Sequence, residues 1–285
     1  MTINNPAGRL FNIIQAGKKE KNDKPAAEAW SNILDVPIKD KVLLLTRIGH
    51  VMALPGSIKE EIENLENIDH KLHLKWLPKV EKCFSLLNFQ LPWSQFIDKF
   101  DGEIVYGMQI CSDVLSRNRP EKVADPDIIK GLLPQVNELL KDLENENLPP
   151  NVRQFIYEHL CIAKKALEEY KIRGIKPLEA EVERLTGAVV RSPWVWLQTR
   201  KSSFGERFWK CMGHLAVATT IVVGGIQIGH EVFDALSYAQ SQDIRDEQPF
   251  EIYINIGSNV YSNLNADTYT KTLIALPTEN KGNKK

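Results

Sequence analysis

Apolar residues recur along most of this chain at the three- and four-residue spacing of a buried helix face. Polar breaks divide the pattern into a succession of helices. Leu10, Phe11, Ile13 and Ile14 form the first such face, on a helix entered through Pro6 and running to Gln15. The charged break Lys18–Lys24 separates it from a second helix begun at Pro25, with Ala29, Trp30, Ile33 and Leu34 on one side. Asp40 then caps Val42–Leu54, a run so densely apolar that it predicts a helix buried on most sides. Pro55-Gly56-Ser57 is expected to end that helix. Ser57 with Glu60 makes a capping box for the next, which Ile58, Ile62, Leu65 and Ile68 carry forward. The same period continues through His70, Leu72, Leu74, Trp76 and Leu77 to a bend or break at Pro78.

Three more stripes follow: Val80, Phe84 and Leu87; Trp93, Phe96, Ile97 and Phe100; and Ile104, Met108, Cys111 and Leu115. A polar loop, Ser116–Pro126, precedes Ile128–Leu143. Past Leu148-Pro149-Pro150 comes Val152–Ile172, and the two helices are fit to pair antiparallel. Pro177–Val190 closes the series with Leu178, Val182, Leu185 and Val189 in register. Strict alternation is almost absent before residue 190. Residues 1–190 are therefore expected to form an all-α domain of about eight helices.

The pattern then changes. Residues 191–210 mix aromatic rings with cations, a combination that a membrane–water interface attracts. Trp194, Trp196, Arg200, Lys201, Arg207, Trp209 and Lys210 are the candidate interfacial anchors. Cys211–His230 follows without a single Asp, Glu, Lys or Arg, in a chain that is 26% charged. About 20 uncharged, mostly apolar residues are what an α-helix needs to cross roughly 30 Å of hydrocarbon. Residues 211–230 are thus expected to be a transmembrane helix. His214, Thr219, Thr220, Gln227 and the glycines dilute the run, so the alternative is a buried helix, or one ending in a turn at Gly224-Gly225.

Small residues within the run, Ala216, Thr220 and Gly224, recur four apart, and Gly225 with Gly229 makes a GxxxG pair. Such ridges let helices approach closely in lipid, which makes these five residues candidates for self-association. Residues 231–285 form a short tail with two expected strands, Phe250–Gly257 and Tyr269–Leu276. The fold class is therefore mainly α: a multi-helix N-terminal domain, one transmembrane helix and a short β-hairpin-like tail.

Charge and composition narrow the chemistry. The 36 basic and 37 acidic residues leave a net charge of −1, so no global field gathers nucleic acid, which is not an expected partner. Cys83, Cys111, Cys161 and Cys211 are too widely spaced for a zinc signature or a disulfide framework. The N-terminus lacks the continuous apolar segment of a secretion signal. His70 and His73, one turn apart and near Glu66, could hold a metal. HxxH is not HExxH, however, and a polar helix face is the better reading. Glu158-His159 beside Cys161 names no nucleophile–base pair, because neighbouring helical residues point in different directions. Neither a P-loop nor GxSxG occurs. No enzymatic activity, cofactor or metal is expected.

PAGRLFNIIQAGKKE at the start, Ala29-Trp30, LKWLPKVEKCF and LPWSQF together resemble a group of uncharacterised prokaryotic helical proteins. The resemblance covers roughly residues 1–175. It implies a prokaryotic or phage-related source and a helical N-terminal domain, and it transfers no site residues. The expected function is a non-enzymatic, membrane-associated effector or adaptor, in a setting such as prokaryotic stress or phage defence. Its helical domain would receive a signal from a protein partner, and its apolar helix would self-associate as a homo-oligomer in the membrane. Lys and Arg ahead of the run place that domain on the cytoplasmic side of the inner membrane, crossed once. The alternative is a soluble, cytoplasmic helical interaction or regulatory subunit whose apolar stretch is a buried core or interface helix.

Overall fold

Short polar side chains fix where several of the helices begin, by accepting from backbone N–H groups that have no partner within the helix. The computed structural model describes residues 4–191, 194–199, 202–219, 222–223 and 226–227, and these are mainly helical. Asn5 accepts from the Gly8 N–H at 2.8 Å to open α1 (Pro6–Gly17), with Pro6 in the first turn. After α2 (Ala26–Leu34), Asp40 accepts from the Leu43 N–H at 3.1 Å to open α3 (Lys41–Glu63). Asp69 caps the single turn α4 (His70–His73); α5 (Leu77–Ser85) and α6 (Ser94–Ile97) follow. Asp101 and Asp125 cap α7 (Gly102–Asn118) and α8 (Pro126–Leu143). The remaining helices are α9 (Pro150–Glu168), α10 (Tyr170–Arg173), α11 (Lys176–Arg191), α12 (Trp194–Thr199) and α13 (Ser203–Thr219).

Three boundaries differ from those expected. α3 runs unbroken through Pro55, so Gly56-Ser57 neither ends one helix nor starts another. The backbone hydrogen bond lost at Pro55 is offset by burying its ring together with Val51, Leu54 and Ile58. α3 stops at Glu63, and Asn67 turns the chain at φ 61, a conformation its short polar side chain tolerates. Pro78 breaks nothing: it stands in the first turn of α5, where a missing N–H costs no hydrogen bond.

Two hydrophobic cores result. The first is built from α1 to α7 around an aromatic cluster. Trp30 meets Trp93 edge-on at 5.4 Å, and the Phe96 ring lies 5.1 Å from Trp93 and 5.2 Å from Phe100. The Trp93 indole donates to the Gly17 carbonyl at 2.7 Å, which ties α1 to the start of α6. The second core packs α8 against α9, joined by a short connection that makes them antiparallel, and adds α11, α12 and α13.

α13 corrects the expected membrane span. Phe204, Phe208, Cys211, Met212, Leu215 and Ala216 share one buried face of this helix, packed against α8 and α11 in the second core. The helix ends at Thr219. Val222–Val223 (β1) then pairs antiparallel with Ile226–Gln227 (β2), Val222 opposite Gln227 and Val223 opposite Ile226. The 211–230 run is therefore not one helix. Among the described residues no helix is long and apolar enough to cross a membrane. The run itself carries the reason: Val222, Val223 and Ile226 are β-branched and suit paired strands. The expected strands Phe250–Gly257 and Tyr269–Leu276 lie outside the described residues.

Burial pushes the Cys211 thiol up to about 12 and the Cys111 thiol up to about 11. Cys83 is also buried, and Cys161 is half-buried. Iodoacetamide at mildly alkaline pH should therefore label Cys161 first in the folded chain, and the other three only after unfolding in guanidinium. Rapid labelling of Cys211 in the native state, read by peptide mass spectrometry, would contradict its place in the core.

Candidate interaction site

α3 is apolar on nearly all sides, and its neighbours cover only part of it. Leu44, Ile48, Val51, Leu54, Ile58 and Ile62 fall on one side and enter the first core. On the opposite side stand Val42 (78% exposed), Leu45 (53%) and Met52 (42%), with exposed Gly49, Ala53 and Gly56 beside them. Ile38, just ahead of the helix, extends the face. Between Lys41 and Lys59 only Arg47 and His50 can carry charge, and Arg47 is buried on the core side. Four turns of an exposed helix face thus hold no charged side chain.

A cleft runs along one edge of that face, where the two cores meet. It has a volume of about 400 Å³ and is lined by residues including Arg9, His50, Ser57, Glu61, Arg173 and Lys176. α10 is the hinge between the cores: Ile172 belongs to the first and Tyr170 to the second. Arg9, buried on α1, donates from Nε to the Ile172 carbonyl at 3.0 Å and forms an ion pair with Glu121. Arg47, buried on α3, donates to the Leu34 carbonyl at 3.0 Å and to Glu168 at 2.8 Å. Lys176 bridges Glu61 at 3.1 Å and Glu121 at 3.4 Å. Gly174 (φ +70) passes so close to the Arg9–Glu121 pair that a Cβ there would collide with it.

Beneath the cleft Glu169 is fully buried. One of its oxygens lies 3.2 Å from Arg173 and 3.5 Å from His50 Nε2; the other has no hydrogen-bond partner among the described residues. Exposed ion pairs contribute little, but removing one partner of a buried pair typically costs about 3–5 kcal/mol. The cations of the cleft are thus matched by carboxylates of the chain itself. This seam joins the two cores, while the uncharged face of α3 beside it has no partner among the described residues.

The residues singled out from the sequence have other surroundings. Trp196 is buried, Trp194 is half-buried against Phe155 at 6.4 Å, and the Trp209 indole donates to the Thr199 hydroxyl at 2.9 Å. Arg207 pairs with Asp142 at 2.7 Å and Glu138 at 3.4 Å across to α8, and Lys210 is exposed. The aromatic anchors therefore pack into or against the second core, because α12 and α13 turn them toward α9 and α11. Ala216 is buried in that core. Arg200, Lys201, Thr220, Gly224, Gly225 and Gly229 lie outside the described residues.

His70 Nε2 and His73 Nδ1 each bond a backbone carbonyl, of Leu65 and Asp69, at 2.8 Å. No group of three metal-ligating side chains occurs among the described residues. His159 meets not Cys161 but buried Glu181, at 2.6 Å, which also pairs with Arg184. Arg9, Arg47, His50 and Glu169 escape sequence reasoning because their partners are distant along the chain. The α3 face leaves one trace there, the missing charges after Lys41.

Burial holds the His50 pKa below its ordinary 6.5; Glu169 opposes that shift, and Arg173 and Lys165 reinforce it. The unfolded chain then takes up this proton at higher pH than the folded one. The stability linked to His50 is complete above about pH 6.5 and is lost as the pH falls below it. Denaturant midpoints of His50→Gln should fall less steeply than wild type between about pH 7 and 5; parallel curves would show that His50 is not held neutral. Comparison with protein-family models, with curated proteins and with solved structures finds no match for this chain.

Proposed function

We propose that this chain is a helical interaction or regulatory subunit that docks a partner protein on the uncharged face of α3. One observation carries the reading: Val42, Leu45 and Met52 stand exposed on four helical turns without a charge. Fully burying such a side chain contributes about 1.5–3 kcal/mol. Leaving these three largely in water therefore forgoes on the order of 3 kcal/mol that a partner could recover. The ion pairs at the junction hold α3 in place, so a partner meets a preformed surface and loses less conformational freedom on binding. The membrane-effector reading rested on one continuous helix over 211–230. With α13 ending at Thr219, the interaction reading is the better supported.

The double variant Leu45→Lys/Met52→Lys tests this. Recovered from cells under native conditions, the wild-type chain should scatter light as an assembly heavier than its own 32.4 kDa. The variant should run at the single-chain mass with an unchanged circular dichroism spectrum. Equal masses for the two proteins would overturn the assignment of α3 as the docking face.

A further inference from the structure

The charges around the cleft do not balance. Arg9 is matched by Glu121, Lys176 by Glu61, and Arg173 by Glu169 beneath. Glu60 is left over: its carboxylate lines the cleft, is exposed, and makes no hydrogen bond or ion pair with any described residue. Donors are left over as well. Arg173, with its side chain 39% exposed, gives one nitrogen to Glu169 at 3.2 Å and has no other hydrogen-bond partner among the described residues. The Ser57 hydroxyl, three residues before Glu60 on α3, also lines the cleft and bonds none of them.

We propose that this cleft captures the N-terminus of a peptide, its α-ammonium on Glu60 and its first carbonyl oxygens on Ser57 and Arg173. Recognition of a terminal amine together with backbone groups is a recurring mode of peptide binding. The spacing suits it. Arg173 shares Glu169 with His50, and His50 stands ten residues before Glu60, about 15 Å along the axis of α3. An extended chain covers that length in about four residues. Ala53 and Leu54 on α3 and Pro177 on α11 give the cleft apolar surface between its ends, and its volume of about 400 Å³ is that of a small-ligand site. An ammonium at Glu60 restores the charge balance, while neutral carbonyls accept from Arg173 without competing with Glu169 for its charge. A terminal carboxylate on Arg173 would instead add a second negative charge beside buried Glu169. The inference goes beyond docking on α3, because neither Leu45 nor Met52 lines the cleft.

Isothermal titration calorimetry of the purified full chain tests this with tetra-alanine amide and its N-acetyl form, which differ only at the amine. Wild type should bind the free amine about tenfold or more tightly than the acetylated peptide. Glu60→Gln should erase that difference and leave the melting temperature unchanged, because Glu60 holds no described residue in place. Leu45→Lys/Met52→Lys should bind the free amine like wild type. Absence of binding by either peptide at about 10 mM would overturn capture of an N-terminus, as would equal affinity for the two. A Glu60→Gln chain that still prefers the free amine would overturn Glu60 as its seat. Loss of binding in the Leu45→Lys/Met52→Lys variant would move the peptide from the cleft to the face of α3.

Discussion

A helix packed on one layer of neighbours can hide only part of its circumference, and α3 is apolar around more of it than the described residues cover. Leu44, Ile48, Val51 and Ile58 commit one side of α3 to the first core. That commitment fixes which residues are left over: Val42, Leu45 and Met52 lie roughly opposite and cannot be buried by the same contacts. Pro55 serves the same end. Because the helix continues through it, the exposed face runs on past Met52 to Gly56 and Glu60 instead of ending at a turn.

The rest of the architecture holds that helix still. Arg47 reaches from α3 to Glu168 at the end of α9, and Arg9 reaches from α1 to the Ile172 carbonyl in α10. Both guanidinium groups are buried between the cores, so the cores cannot separate without breaking these charge-assisted hydrogen bonds. Gly174 lets the chain pass directly over one of these pairs. The seam thus rigidifies the junction, and the face beside it is presented by a scaffold rather than by a loop.

Much of the helical class was legible, because periodic stripes such as Ile104, Met108, Cys111 and Leu115 report a local geometry. Caps at Asp40 and the start of α1 at Pro6 were legible for the same reason. What failed was the fate of Cys211–His230. Absence of charge suits lipid and protein interior equally, and only the packing of α13 on α8 and α11 distinguishes them. The aromatic residues Trp196 and Trp209 were misplaced by the same ambiguity. The apolar run Val42–Leu54 predicted burial on most sides, yet one side is open. Sequence periodicity records that a face avoids water and says nothing about which chain covers it.

Hydroxyl-radical footprinting of the full chain in its native assembly tests that coverage most directly. Leu45 and Leu86 are the same residue type and similarly exposed in the single chain, at 53% and 51%, with Leu72 at 66% as a second reference. If α3 is a docking face, Leu45 should be modified several-fold more slowly than Leu86 and Leu72. Equal modification of all three would mean that the face meets water, and that α3 docks nothing.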